Sequence, residues 1–316
     1  MVPLQNTKES QFFFIHLFGS LDKRSYLCEP KHQQMNYEEF WQRLTTIYDA
    51  DEAKAIARFV LDVRFGLSWT DIICGKTDSF SADEQDELEH LVQRLEAGEP
   101  VQYVLGEAEF GGRTFHVEPG VLIPRPETYE LCQWITRSEK REVISDKCSI
   151  LDIGTGSGCI AITLAAEIPN AQVTAWDISN DALRIASENA KSTNVHVSFE
   201  KVDVLNLQSS ISDFQFDVIV SNPPYICNKE RAGMERNVLE HEPELALFVP
   251  DDNPLLFYRA ITRYAAKVLK PGGALFFEIN PLYVNEMQEM LYKEGFAHIE
   301  IRNDQFGKQR FTKSWL

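Results

Sequence analysis

Leu151-Asp152-Ile153-Gly154-Thr155-Gly156-Ser157-Gly158 carries three glycines at alternate positions behind an apolar run. Residues 150–153 form a short apolar run of strand character, and 160–168 follow with the length and pattern of a helix. The three glycines therefore stand where a strand turns into a helix. Glycine there lets the backbone turn sharply and come close to a ligand, and the helix amino end presents unpaired N–H donors. The spacing is D-x-G-x-G-x-G, not the G-x-G-x-x-G of dinucleotide enzymes. Asp152, just before the turn, would repel a pyrophosphate but suits a ligand with a free amino group. Asp177 ends the next strand, nineteen residues after Gly158, where a carboxylate can accept both hydroxyl hydrogens of a ribose. S-adenosylmethionine has an amino acid end, a ribose and a sulfonium but no phosphate, so it fits this pattern better than a dinucleotide. The candidate cofactor contacts are Gly154, Thr155, Gly156, Ser157, Gly158 and Asp177. Asp203 and Val204, at the end of the third strand, are candidates for the adenine side. For Asp203 an ordinary turn carboxylate is an equal alternative.

Working outward, strand and helix patterns alternate. Strands are predicted over 172–176, 195–202, 216–220 and 274–279, and helices over 181–191, 254–269 and 282–294. Asn253 is expected to cap the helix that has Pro254 in its first turn. Two more strands fit 297–301 and 310–313. Repeated β-α units predict an α/β, Rossmann-like fold with a doubly wound, mostly parallel sheet over 124–316, and joined to a turn that suits S-adenosylmethionine they make an S-adenosylmethionine-dependent methyltransferase fold the expectation.

The chain before it reads differently. Over 35–100, Phe40, Leu44, Ile47 and Tyr48 recur at helical spacing, as do Ile56, Phe59, Val60 and Val63. Ser81 and Glu84 form a capping-box pattern ahead of Leu88, Leu91, Val92 and Leu95, and Gly98 stops that helix. This predicts a small N-terminal helical domain suited to docking a substrate. Over 101–123, Phe110, Gly111-Gly112, Thr114, Phe115 and Val117 predict a β-hairpin linker. Residues 1–34 show no sustained period. They fit either a disordered extension or a start placed upstream of a true one at Met35.

Val218-Ile219-Val220-Ser221-Asn222-Pro223-Pro224-Tyr225 follows the fourth strand. Ligands of an open α/β sheet gather at the carboxyl ends of its strands, so Asn222 to Tyr225 should lie near the glycine turn. A planar NH2 on an sp² carbon is a poor nucleophile because its lone pair is delocalised. Two acceptors aimed at its two hydrogens would orient it and favour the positive charge that builds on nitrogen during attack. The Asn222 side-chain oxygen and the Pro223 carbonyl are candidates for that pair. Two prolines stiffen the loop, and Tyr225 offers a flat face to a planar group. Asn222, Pro223 and Tyr225 are the candidate catalytic residues; with Pro224 they are also the candidate substrate contacts. A packed, proline-rich strand-end turn is the plainer alternative, made less attractive by the cofactor turn upstream.

Composition narrows the class. Against 31 Lys and Arg stand 48 Asp and Glu, a net charge of −17. That balance argues against a protein held mainly by nucleic-acid phosphates and allows a partner with a basic face. Cys28, Cys74, Cys132, Cys148, Cys159 and Cys227 include no CxxC pair, and the seven histidines form no HExxH, so reduced thiols and no metal site are expected. The apolar run 12–18 is too short to cross a bilayer and has no basic leader. A cytoplasmic location and a monomer are the default expectations.

Asp-Ile-Gly-Thr-Gly-Ser-Gly together with Asn-Pro-Pro-Tyr resembles the methyltransferases that modify exocyclic or amide NH2 groups, a set that includes adenine and cytosine amino-methyltransferases. Further segments are similar to the release-factor glutamine N5-methyltransferases (the PrmC/HemK family). These are Glu99-Pro100-Val101-Gln102-Tyr103-Val104-Leu105-Gly106 with Glu109-Phe110, Leu122-Ile123-Pro124-Arg125-Pro126-Glu127-Thr128, and Glu242-Pro243 with Ala246-Leu247. The related enzymes acting on a ribosomal-protein glutamine tend to have Pro-Arg-Ser-Pro instead. The resemblance spans residues 36–316. It implies S-adenosylmethionine-dependent methylation of the glutamine in the Gly-Gly-Gln motif of bacterial peptide chain release factors. It also implies that the helical domain holds that substrate, that Asn222 touches the cofactor as well, and that Asn222 to Tyr225 hold the glutamine. Tyr129 stands where an acidic residue is common, and Asn280 where glycine is usual. The alternatives from other classes are a nucleic-acid adenine amino-methyltransferase, a ribosomal-protein glutamine methyltransferase and a noncatalytic cofactor-binding scaffold.

Overall fold

Short amphipathic segments are unstable alone and must bury their apolar stripes against one another. In the computed structural model, which describes residues 34–142, 147–207 and 215–316, the first of them do so as α1 (Tyr37–Leu44), α2 (Ala50–Phe65), α3 (Trp69–Ile73), α4 (Ala82–Glu96) and α5 (Val101–Leu105). The expectation for residues 1–34 falls almost wholly outside the described residues. Phe40, Leu44, Val60, Leu61, Leu88, Val92 and Leu95 build the common core of these helices. The capping box at Ser81 and Glu84 is present in both directions. The inward stripe of α2 differs from the expected one. Ile56 and Val60 face the core, but Phe59 and Val63 are exposed, because Ala53, Ala57 and Leu61 complete the buried side. Residues 101–105 are also helical rather than the start of a hairpin. Arg94 of α4 explains this: it donates to the carbonyls of Val104 (2.9 Å) and Tyr103 (3.0 Å), closing the carboxyl end of α5.

The hairpin itself is β1 (Glu107–Phe110) and β2 (Arg113–His116), joined by Gly111 and Gly112 at φ of 60° and 74°. Both central positions of such a two-residue turn need positive φ. Gly111 has a second reason. A Cβ there would lie 2.4 Å from the Tyr129 ring, which packs edge-on against Phe110. Tyr129, one of the two departures from the family pattern, thus seals the hairpin to the helix that follows.

That helix is α6 (Pro126–Glu142), and the β-α alternation begins after it: β3 (Ser149–Ile153), α7 (Cys159–Glu167), β4 (Gln172–Asp177), α8 (Asn180–Ser192), β5 (Val197–Lys201) and β6 (Phe216–Ser221). A segment of short elements follows, β7 (Ile226–Cys227), α9 (Arg236–His241), α10 (Glu244–Leu247) and β8 (Phe248–Val249). The chain closes with α11 (Leu256–Val268), β9 (Leu269–Glu278), α12 (Val284–Lys293), β10 (His298–Asn303) and β11 (Gln309–Trp315). The sheet order is β10-β11-β9-β6-β3-β4-β5; β9 through β5 run parallel, and β11 is antiparallel to both neighbours. Its central strands are apolar on both faces, as parallel strands must be when helices cover both. Ile150, Val173, Val218 and Phe276 meet α6 and α7, while Leu151, Ile219, Leu275 and Phe277 meet α11 and α12.

Asn253 is not a side-chain cap. A turn intervenes, with Leu256 N bonded to the Asn253 carbonyl, and α11 starts at Leu256 with no side-chain cap. No helix of the described residues is long and apolar enough to cross a membrane. Gly111→Ala is expected to destabilise the protein by about 2–4 kcal/mol, the left-handed backbone cost plus displacement of Tyr129. Gly112→Ala, with open space around its Cβ, should cost only about 1–2 kcal/mol. Equal denaturant midpoints for the two variants would refute the packing role of Tyr129.

Candidate active site

Two neighbouring parallel strands deliver the two motifs to one place. Ile153 pairs with Ser221 in the β3–β6 ladder, and Ser221 Oγ donates to the Ile153 carbonyl at 2.6 Å. The glycine turn and the Asn222 loop therefore leave the sheet side by side. The crossovers from these strands run to opposite sides, which makes this the crevice where open α/β sheets bind ligands.

The turn is braced from beneath. Gly154 N and Thr155 N donate to the Trp176 carbonyl at 2.8 and 2.9 Å. Gly156 N donates to Asp177 Oδ2 and Ser179 N to Asp177 Oδ1, both at 2.9 Å. Gly154 and Gly156 have positive φ, and a Cβ on either would meet open space. The result is an open glycine cradle beside a carboxylate. Gly158 differs: its Cβ would lie 2.9 Å from Ile162 and 3.0 Å from Ala186, so this glycine lets α7 pack on α8. Thr155 and Ser157 are buried, and Thr155 Oγ1 donates to Asp152 Oδ2 at 2.7 Å. Their carbonyls are taken within the protein, that of Thr155 by Gly158 N at 2.9 Å and that of Ser157 by Asn189 Nδ2 at 2.9 Å, so both brace the turn.

Asp152 departs from its expected place. It is fully buried under the turn, where Oδ2 also accepts from Ala161 N at 3.2 Å. Desolvation pushes its carboxyl up to about 7, against the pull of the Thr155 and Ala161 hydrogen bonds. It holds the turn from inside rather than facing a ligand amine. Asp177 is raised too, chiefly by burial, with backbone donors acting against it. Asp203 Oδ1 accepts from Leu205 N at 2.9 Å and Oδ2 from Asn206 Nδ2, the work of a strand-end turn; Val204 packs against the core of the α11 face. A cradle of open glycines and a carboxylate, with no cation bonded to either among the described residues, fits a ligand that has a ribose and no phosphate.

Beyond the Asn222 loop lies a cavity of about 230 Å³, walled by Leu122, Ile226, Met234, Val238 and Leu247. Asn222, Pro223 and Tyr225 line it. Asn222 Nδ2 donates to Thr128 Oγ1 at 3.2 Å. Thr128 Oγ1 donates to Glu278 Oε2 at 2.7 Å, and the Tyr225 hydroxyl to Glu278 Oε1 at 3.0 Å. Among the described residues nothing donates to Asn222 Oδ1 or to the Pro223 carbonyl, so both are open acceptors. Burial raises the Glu278 carboxyl, opposed by Thr128, Tyr225 and the Arg310 charge. Burial also raises the Tyr225 phenol well above its ordinary range. Asn280, the second departure from the family pattern, donates to the Tyr225 carbonyl at 3.0 Å and to Glu230, so it anchors the far end of the loop. Arg125 and the buried Glu242 form an ion pair at the rim, and Glu242 Oε2 accepts from Ile123 N at 3.1 Å.

Thr128, Glu278 and the Arg125–Glu242 pair have no role that local sequence pattern assigns. Thr128, Arg125 and Glu242 lay inside quoted motifs, and Glu278 sits two residues before Asn280, but no periodicity links positions that lie 94 to 150 residues apart.

Comparison with known proteins agrees with the geometry. Residues 144–311 match a methyltransferase domain model and 31–106 a PrmC N-terminal domain model. A release factor glutamine methyltransferase of Bacteroides thetaiotaomicron is 46% identical, over 85% of this chain and 95% of its own length. One from Flavobacterium psychrophilum is 40% identical, over 88% and 97%. Among solved structures, the hMettl16 catalytic domain bound to MAT2A 3'UTR hairpin 6 shares the fold, with a TM-score of 0.50 and 17% identity over 75% of this chain and 82% of that one.

The buried Asp152 makes stability depend on pH. Its folded value of about 7 lies above the 3.8 of a free aspartate. Between the two, the folded protein keeps a proton that the unfolded chain has released, so stability is full below the lower value and falls as pH rises to the upper one. Asp152→Asn does not titrate. Its stability relative to wild type should therefore rise by a few kcal/mol, on the order of 1.4 for each pH unit crossed, between about pH 4 and pH 7. Parallel pH curves in urea unfolding would refute this.

Proposed function

The chain belongs to the release factor glutamine methyltransferase family, and from that premise we propose that it transfers a methyl group from S-adenosylmethionine to the side-chain amide nitrogen of a glutamine in peptide chain release factors, the glutamine of the Gly-Gly-Gln motif. The observation that carries this is the pair of open acceptors, Asn222 Oδ1 and the Pro223 carbonyl, on residues that line a small cavity and adjoin the glycine cradle.

Gly154, Gly156 and Asp177 would hold the amino acid and ribose portions, and Val204 the adenine side. When bound, S-adenosylmethionine supplies an electrophilic methyl on a positively charged sulfur. The two acceptors take the two amide hydrogens of the substrate, turn its nitrogen towards the cradle and stabilise the positive charge that grows there. Pro223 and Pro224 keep the acceptors from moving away. Tyr225, fixed at its hydroxyl by Glu278 and at its carbonyl by Asn280, packs against the planar amide. An N-methylated amide that still carries both hydrogens is strongly acidic, so its extra proton leaves to water and no strong base is required. A cavity of about 230 Å³, with Leu122, Met234 and Val238 beside Arg125 and Glu235, has room for an unbranched side chain with a polar end and favours a glutamine flanked by small residues. The helical residues 35–100 are assigned to gripping the release factor. The same proposal places the reaction in the cytoplasm, carried out by a monomer without a metal.

A mass-spectrometric assay with a bacterial release factor should show a gain of one methyl on that glutamine; methyl transfer only to DNA or ribosomal RNA would overturn the substrate assignment. Asn222→Asp is expected to lower turnover by about 100-fold or more, because a carboxylate brings a charge and loses the bond to Thr128. Turnover close to wild type would sink the orienting role. Asp177→Ala should weaken S-adenosylmethionine binding by about 1–3 kcal/mol in a calorimetric titration, and an unchanged affinity would remove Asp177 from the site.

A further inference from the structure

We infer that Thr128 and Glu278 are positioning residues for the methyl transfer: together they decide which end of the Asn222 side-chain amide faces the substrate. This rests on the function proposed above, in which Asn222 must present its oxygen.

The two ends of an asparagine amide have nearly the same shape and opposite capability, since the oxygen only accepts and the NH2 only donates. If the NH2 end faced the cavity, it would meet the substrate NH2 donor to donor and one acceptor would be lost. Nothing in the local backbone of Asn222 distinguishes the two. The neighbours do. A threonine hydroxyl has a single hydrogen, and that of Thr128 points to Glu278 Oε2 at 2.7 Å. What remains for Asn222 is a lone pair on Thr128 Oγ1. Only the NH2 end can use it, at 3.2 Å, and Oδ1 is left for the incoming amide. An ionised carboxylate accepts and never donates, so Glu278 forces both hydroxyls around it, those of Thr128 and Tyr225, to point inward. One buried group therefore sets the polarity of the amide and the angle of the ring.

Burial works against that state, and what supports it is geometric: one hydroxyl donor on each carboxylate oxygen, from Thr128 and Tyr225. Arg310 lends positive charge to Glu278, while Glu127 opposes it, and Tyr258 donates to the Glu278 main-chain carbonyl at 3.0 Å. The participants come from separate elements: Thr128 from the first turn of α6, Glu278 from the end of β9, Asn222 from the loop after β6. Strand pairing of Ser221 with Phe277 brings the last two together. Glu278→Gln would break the rule without changing shape. A glutamine can offer its NH2 to Thr128, which frees the hydroxyl hydrogen to reach Asn222 Oδ1 and reverses the amide.

The test compares Thr128→Val, which keeps the shape and removes the hydroxyl, with Thr128→Ser, which keeps the hydroxyl. Steady-state kinetics on a release factor are read beside S-adenosylmethionine affinity, thermal unfolding and the Asn222 side-chain amide NMR signal in the substrate-free protein. Thr128→Val and Glu278→Gln should lower kcat by about 10–100-fold with KM and cofactor affinity little changed. Their Asn222 amide signal should shift and exchange faster. Thr128→Ser should restore kcat and signal. The inference is overturned if Thr128→Val turns over like wild type, if Ser and Val lose activity equally, if only KM or Tm moves, or if the Asn222 signal is unaffected in both variants. Should wild type transfer no methyl to the release factor, the proposed function falls, and the NMR comparison still decides the orientation of Asn222.

Discussion

The parallel pairing of β3 with β6 is the constraint on which the rest depends. It places Ile153 opposite Ser221, and the next residue on each strand is the first of a ligand loop. The cradle and the acceptor loop are adjacent because two strands 68 residues apart share a ladder and a hydrogen bond from Ser221 Oγ. The helices on both faces keep that ladder dry, so its backbone bonds have no competing water. A shift of one residue would turn Asn222 away from the cradle and send core residues to the wrong face.

Around that junction the protein places buried carboxylates: Asp152 beneath the turn, Glu278 behind the acceptor loop and Glu242 at the cavity rim. A buried charge is costly unless its partners satisfy it. Each is met differently: Glu278 by two hydroxyls, one on each oxygen, Glu242 by a guanidinium and a backbone N–H, and Asp152 on Oδ2 alone, by a hydroxyl and a backbone N–H, with its carboxyl raised to about 7 by burial. What the three share is that they fix loops. Glycine and proline loops have few side chains with which to hold themselves, and stiff loops at a reaction centre reduce the motion that catalysis must otherwise suppress. The two departures from the family pattern fit this picture. Tyr129 packs over Gly111 in the hairpin, and Asn280 anchors the Tyr225 carbonyl. Tyr129 acts on the geometry of the hairpin, and Asn280 on that of the acceptor loop.

The alternation of strand and helix, the glycine turn, the carboxylate after the second strand and the Asn-Pro-Pro-Tyr loop were all legible in the chain, because each is a local pattern within one or two elements. Local pattern misled where packing decides. Phe59 and Val63 have helical spacing, yet alanines take the inward side of α2. Residues 101–105 lack a long periodic run, yet Arg94 closes them into a helix. Asp152 looks like a ligand contact from its place beside the turn, but β3 turns it into the core. Residue type and short spacing in the chain fix the class of fold and what each loop can donate or accept. That Thr128, Glu278 and Arg310 gather around Asn222 and Tyr225 follows from three-dimensional packing alone. Those contacts join positions up to 150 residues apart, and long-range proximity is a property of sheet order and helix packing that no local periodicity encodes.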